Sequence, residues 1–151
     1  QLLTGLQHIT GEWGHNPLHP DGPRCYCGRR GCIETFLSGP AIAADYARRG
    51  GEPTTTAQTI ATLAENNDPL AQDVLSGFFN YFGQALATII NILDPHVVVI
   101  GGGLSCIDAL YSRGREAAAQ YVFNDEFATP IVSNINGDSA GVRGAAQLWP
   151  A

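Results

Sequence analysis

Residues 11–34 read GEWGHNPLHPDGPRCYCGRRGCIE. This stretch holds three of the chain's four cysteines, two of its four histidines and three of its eight basic residues. The thiols fall at Cys25, Cys27 and Cys32, a C-x-C-x4-C spacing, with His15 upstream. Three thiolates and one imidazole complete a four-coordinate zinc set, and four protein ligands leave no open position for chemistry on the metal. The expectation is a structural zinc that holds a glycine-rich loop in shape.

Four cysteines also permit two disulfides. A C-x-C pair bridges poorly with itself, no secretory feature accompanies it, and Cys106 stands apart beside a glycine run. A metal site in a reducing cytoplasm is the favoured reading, with Cys106 a small buried apolar residue. Arg24, Arg29 and Arg30 make a basic spot, either a solvated face or an edge that meets anions. Glu12 and His15 are three apart and share a face on a helical turn. Glu34 follows Cys32 by two, so both carboxylates lie within about 10 Å of a metal held by His15 and Cys32. They are either cap or surface residues or, with His15, hydrogen-bonding partners of a polyhydroxylated ligand. His8 and His19 read as surface residues, and His96 as structural.

The rest of the chain is an ordinary α/β domain in outline. At 151 residues and 44% hydrophobic it can bury a core. No run of about 18 apolar residues predicts a membrane span. The net charge of −6 argues against nucleic acid as a partner. The chain begins at Gln1 and has no methionine, so it reads as a piece of a longer one.

In order, Leu2, Leu3 and Leu6 suggest the end of a strand and a turn. A helix capped by Ser38, with Pro40 in its first turn, carries Ile42 and Tyr46 and stops at Gly50-Gly51. A short helix spans 57–64, capped by one of Thr54 to Thr56. The strongest pattern is a long helix from Asp68-Pro69 to Leu93, apolar at Leu70, Val74, Phe78, Phe82, Leu86, Ile89, Ile90 and Leu93. Gly77 and Gly83 inside it point to close packing. Val97 to Ile100 predicts a strand covered on both faces. A helix over 107–123, a strand over 131–135, a turn at 136–138 and a helix over 140–148 complete the domain. Gly101, Gly102 and Gly103, between strand and helix, make either a tight turn without a ligand or a contact for a nucleotide's phosphate or ribose.

Three motifs now resemble one known family. GEWGH is similar to the E-x-G-H motif of the ROK sugar kinases and sugar-responsive repressors. CYCGRRGCIE resembles their C-x-C-G-x-x-G-C-x-E motif, and NILDPHVVVIGGGLS their strand and glycine turn beside bound nucleotide. GEWGHNPL, GCIETFLSG and GDSAGVRGAAQLWP look most like the bacterial fructokinase or manno(fructo)kinase branch.

The resemblance implies the C-terminal lobe of an actin-like, ribonuclease-H-like ATPase fold over residues 1–151, with the zinc loop at 11–34. It implies His15, Cys25, Cys27 and Cys32 as zinc ligands, Glu12, Glu34 and His15 as sugar contacts, and Gly101 to Gly103 against ATP. It also implies Mg²⁺ with ATP, a homodimer, and phosphorylation of a hexose, fructose first, at its 6-hydroxyl. Mannose, glucose and an N-acetylhexosamine are the alternative sugars, and a sugar-responsive repressor the alternative function. The family's phosphate loops and general-base aspartate, which belong to an N-terminal lobe, have no match in this chain. No catalytic residue is expected here, and the chain alone is expected to be inactive. A base at the sugar hydroxyl and Mg²⁺ with phosphate-binding donors are both needed for phosphoryl transfer.

Overall fold

The structure, a computed structural model, describes residues 3–148. Three helices start where the cap residues predict. Helix α1 (Gly39–Arg48) begins with Ser38 Oγ accepting from the Ala41 N–H at 3.2 Å, and Pro40 lies in its first turn. It ends before Gly50, whose φ of 102° is the left-handed conformation of a helix stop. Helix α2 (Ala57–Glu65) is capped by Thr56. Helix α3 (Pro69–Leu93) starts on Asp68, whose Oδ1 accepts from the Ala71 N–H at 2.7 Å. Asp68→Ala is expected to destabilise the chain by about 1 kcal/mol, read as a lower urea midpoint with an unchanged slope.

Helix α3 is the spine of the core. Val74, Phe78, Phe82, Leu86 and Ile90 are buried along it, as the periodicity predicts, and Leu75, Phe79, Ala85 and Ala87 widen the buried face. Helices α1 and α2 pack on it, as does α4 (Arg115–Ala119). The burial stops at Ile90, because Ile92 and Leu93 are exposed.

Four expectations need correction. No strand is formed over residues 3–8, and Leu2 lies outside the described residues. Strand β1 (Val98–Ile100) pairs in parallel with β2 (Ile131–Ser133), Val98 opposite Ile131. It is not covered on both faces: Val99 is 57% exposed, with Val97 and Val132 also open. The sheet's outer face has no second layer among the described residues. Strand β2 stops at Ser133 rather than residue 135: its partner β1 ends at Ile100, whose carbonyl accepts from both the backbone N–H and the side-chain Nδ2 of Asn134.

The helix predicted over 107–123 is shorter and irregular. A 3₁₀ turn (Gly103–Cys106) is followed by a π-turn (Leu110–Gly114) and then α4. A long-range contact closes its C-terminal end. Asn91 of α3 accepts from the Phe123 N–H and donates to the Tyr121 carbonyl, so the chain after Ala119 unwinds. The turn at Gly137 (φ 69°) and helix α5 (Ala140–Gln147) form as predicted.

A candidate metal-organised sugar site

Residues 11–34 fold into two tight turns that face each other. Glu12–His15 is one 3₁₀ turn and Ile33–Thr35 another. Between them the chain doubles back through two isolated bridges, Pro17 with Cys32 and Arg24 with Arg30. Gly31 makes the doubling possible. Its φ is 64°, and a Cβ there would sit 1.5 Å from the His19 carbonyl oxygen. Arg29 donates to the His15 carbonyl at 3.1 Å, so one of the three exposed arginines props the histidine turn.

The turns bring His15, Cys25, Cys27 and Cys32 together, with one ligand atom of each within 4.8 Å of all the others. Cys25 Sγ lies 3.6 Å from His15 Nδ1, and Cys27 Sγ lies 3.6 Å from Cys32 Sγ. In a tetrahedral site with Zn–S bonds of 2.3 Å, neighbouring sulfurs stand about 3.8 Å apart, so the donor set fits zinc in chemistry and spacing. All four cysteines are free thiols.

The thiols are unequal. The backbone N–H of Arg29 is the main influence that brings Cys27 down to about 7. Burial is the first cause that pushes Cys32 up to about 11. Cys27 is thus poised as a thiolate near neutral pH, whereas Cys32 must lose its proton as a metal enters.

The same imidazole has a second face. His15 Nε2 lies 2.8 Å from the Tyr26 hydroxyl, 3.9 Å from Glu12 Oε2 and 4.0 Å from Glu34 Oε2. One nitrogen points at the thiols and the other at two carboxylates. The expected trio of Glu12, His15 and Glu34 is therefore brought together on the open side of the loop. Trp13 Nε1 reaches Thr88 Oγ1 at 3.4 Å and ties this turn to α3.

Tyr26 was not legible as part of this cluster. It is 82% exposed, edge-on to the His15 ring, and the charge on Glu34 is the first cause that raises its phenol. The one available signal was its place between two ligands, which turns its side chain away from the metal.

The glycine turn lies elsewhere. Gly103, Leu104 and Cys106 border a cleft of about 700 Å³, closed by Gly39, Pro40 and Thr54 to Gln58. Cys106 is exposed at this cleft, which corrects its reading as a buried residue. His96 is also exposed rather than structural, and His19 is half-buried, edge-on to Phe36 and Tyr81. His8 is exposed, as expected.

Residues 1–151 match the sequence model of the ROK family throughout. The chain belongs to the ROK family. It is 35% identical over 156 aligned positions to the N-acetyl-D-glucosamine kinase of Salmonella paratyphi B, covering 97% of this chain and 51% of that protein. The chain spans about half the length of the curated relatives it matches. Its fold superposes with a TM-score of 0.84 on the ROK family glucokinase of Streptomyces griseus, solved with glucose and AMPPNP. There the identity is 26%, over 93% of this chain and 51% of that one. A ROK family transcriptional regulator, a homologue of the E. coli MLC protein, superposes at 0.75 with 31% identity, over 87% of this chain and 36% of that one.

The α/β fold is thus that of the ROK sugar kinases, in the actin-like ATPase class. The curated relatives from Salmonella, Photobacterium and Vibrio, 31–35% identical to this chain, carry the name of N-acetyl-D-glucosamine kinases. The fructokinase branch expected from GEWGHNPL and GCIETFLSG is not the one they point to.

Proposed function

We propose that this ROK chain supplies the zinc loop, half of the sugar site and part of the nucleotide site of an ATP-dependent hexose kinase. The observation that carries the reading is the two-faced imidazole of His15. His15, Cys25, Cys27 and Cys32 would hold one zinc ion, which supplies a fixed anchor for the loop and takes no part in phosphoryl transfer. Held this way, Nδ1 of His15 is committed to the metal and Nε2–H becomes a donor, to the Tyr26 hydroxyl at 2.8 Å in this structure and to a sugar hydroxyl that takes its place. Glu12 and Glu34 are acceptors on either side of it. A donor between two acceptors suits adjacent hydroxyls of a hexose, and the 6-hydroxyl can then be presented to a base outside this chain.

N-acetyl-D-glucosamine is the first candidate sugar, on the strength of the 35% identical Salmonella relative. Fructose, the expectation from the motif details, is second. ATP with Mg²⁺ is the phosphate donor, and the Gly101–Gly103 turn with its cleft is the nucleotide contact. The kinase acts in the cytoplasm as a homodimer, where a reducing environment keeps the thiols available. No helix among the described residues is long and apolar enough to cross a membrane. The chain alone is inactive, because the general base and the phosphate loops are not among its residues. A repressor reading is kept alive by the transcriptional regulator that shares the fold.

The test is hexose-dependent ADP release by the full-length kinase that carries this chain. Glu12→Gln and Glu34→Gln are each expected to lower kcat/KM by about 100-fold, the scale of losing a charged hydrogen bond to substrate. N-acetyl-D-glucosamine should be the better substrate. Faster turnover of fructose would reinstate the fructokinase reading. Phosphorylation of no hexose, with sugar-dependent release from DNA, would replace the kinase by the repressor.

A further inference from the structure

We propose that Ser105 and Asn134 are positioning residues for the nucleotide: together they clamp the Gly101–Gly103 turn in its bound shape. The inference rests on the nucleotide reading of that turn.

Ser105 is the one buried polar or charged residue among the described residues, at 5% exposure. A buried hydroxyl has to be paired, and this one is paired twice. Its Oγ donates to the Gly102 carbonyl at 2.7 Å and accepts from Asn134 Nδ2 at 3.2 Å. The backbone N–H of Ser105 donates to the same Gly102 carbonyl at 3.0 Å. The Tyr111 hydroxyl, from the π-turn, donates to the Ser105 carbonyl at 2.7 Å.

Asn134 anchors the other end. It is the first residue after β2, and both its backbone N–H and its Nδ2 reach the carbonyl of Ile100, the last residue of β1. Its Oδ1 accepts from the Asn136 N–H at 2.9 Å. With donors and acceptor all engaged, the amide has one orientation that satisfies its neighbours. The side chain thus ends the sheet ladder and ties the strand end to Ser105.

The turn needs such a clamp. Gly102 has φ 72° and ψ −171°, a region open to glycine alone, and conformations of that kind persist only where the surroundings over-determine them. Two of the bonds converge on the Gly102 carbonyl itself. The clamp fixes Gly102, the residue next to Gly103, which is the residue of the turn that lines the cleft. A turn displaced by about 1 Å would forfeit most of a well-oriented contact.

The experiment measures ADP binding by calorimetry, and the hydrogen exchange of the Ser105 and Asn134 amides, on the full-length protein that carries this chain. It compares Ser105→Ala, Ser105→Thr and Asn134→Asp. The aspartate keeps the shape of Asn134 but sets an oxygen against two acceptors. Ser105→Ala and Asn134→Asp should each weaken ADP binding about tenfold and speed exchange at the partner amide by a similar factor. Ser105→Thr keeps the hydroxyl and should restore both to within about twofold. Unchanged ADP affinity in Ser105→Ala and Asn134→Asp overturns the proposal, whether or not exchange quickens. Failure of the unsubstituted full-length protein to bind ADP sinks the nucleotide reading, and the proposal falls with it.

Discussion

Replacing Cys32 by serine is expected to remove zinc from the purified chain and to lower its melting temperature by about 10 °C. Cys32 is completely buried, so a hydroxyl there cannot turn to water in place of the metal. Its sulfur is 3.6 Å from that of Cys27, one edge of the four-ligand cluster. Without the metal the loop is held by two isolated bridges, turn hydrogen bonds and the Arg29, Trp13 and His19 contacts, with no α-helix in its 24 residues. A ligand bound a thousandfold above its dissociation constant stabilises the native state by about 4 kcal/mol, and a chain of this size shifts by roughly 2–4 °C per kcal/mol. Elemental analysis should read close to one zinc per native chain and close to none in Cys32→Ser. Chelation of the native protein should reproduce the shift. Most of the helical circular dichroism should survive, because the core of α1, α2 and α3 lies apart from the cluster. Full zinc stoichiometry in Cys32→Ser would remove that residue from the ligand set.

Two glycines in α3 should respond in opposite directions. A Cβ on Gly83 would meet Ala117 C at 2.5 Å and Ala118 N at 2.7 Å, backbone atoms of α4 that cannot step aside. Gly83→Ala is expected to destabilise by about 3 kcal/mol, the upper range for overpacking. A Cβ on Gly77 would have Arg49 Nη2 as its nearest neighbour, at an ordinary 3.7 Å. There the gain in helix propensity is unopposed, and Gly77→Ala should stabilise by about 1 kcal/mol. Urea midpoints of the two variants decide the matter. Stabilisation by both would mean that α3 and α4 do not approach as closely as Gly83 requires. Close packing was expected at both glycines, and the structure bears it out at Gly83 alone. Helical spacing marks a glycine as costly but not which neighbour it faces.

That asymmetry runs through the molecule. Ser38, Thr56 and Asp68 cap the helices they were expected to cap, since an N-cap is a hydrogen bond across three residues and is written locally. The C-terminal end of α4 was misplaced because Asn91, some thirty residues upstream, closes it. The openness of β1 was missed because a β-branched run encodes strand propensity, not what lies over it. The donor types of the site were legible as well, since cysteine, histidine and glutamate carry their chemistry wherever they sit. The hydroxyl of Tyr26 on His15, the inward seat of His19 and the exposure of Cys106 were not, because each depends on packing between segments.

The ligand chemistry of residues 11–34, the capped helices and, through the motifs, the ROK resemblance were legible before any folding was considered. All of these rest on residue type and on spacings of a few residues. The folded chain alone settles that His15 turns one nitrogen to the thiols and the other to Tyr26, Glu12 and Glu34. It also settles that Ser105 and Asn134 meet over the glycine turn. Apart from the three-residue step from Glu12 to His15, these are contacts between distant segments, set by how the strands and turns close on one another, and no local spacing contains them.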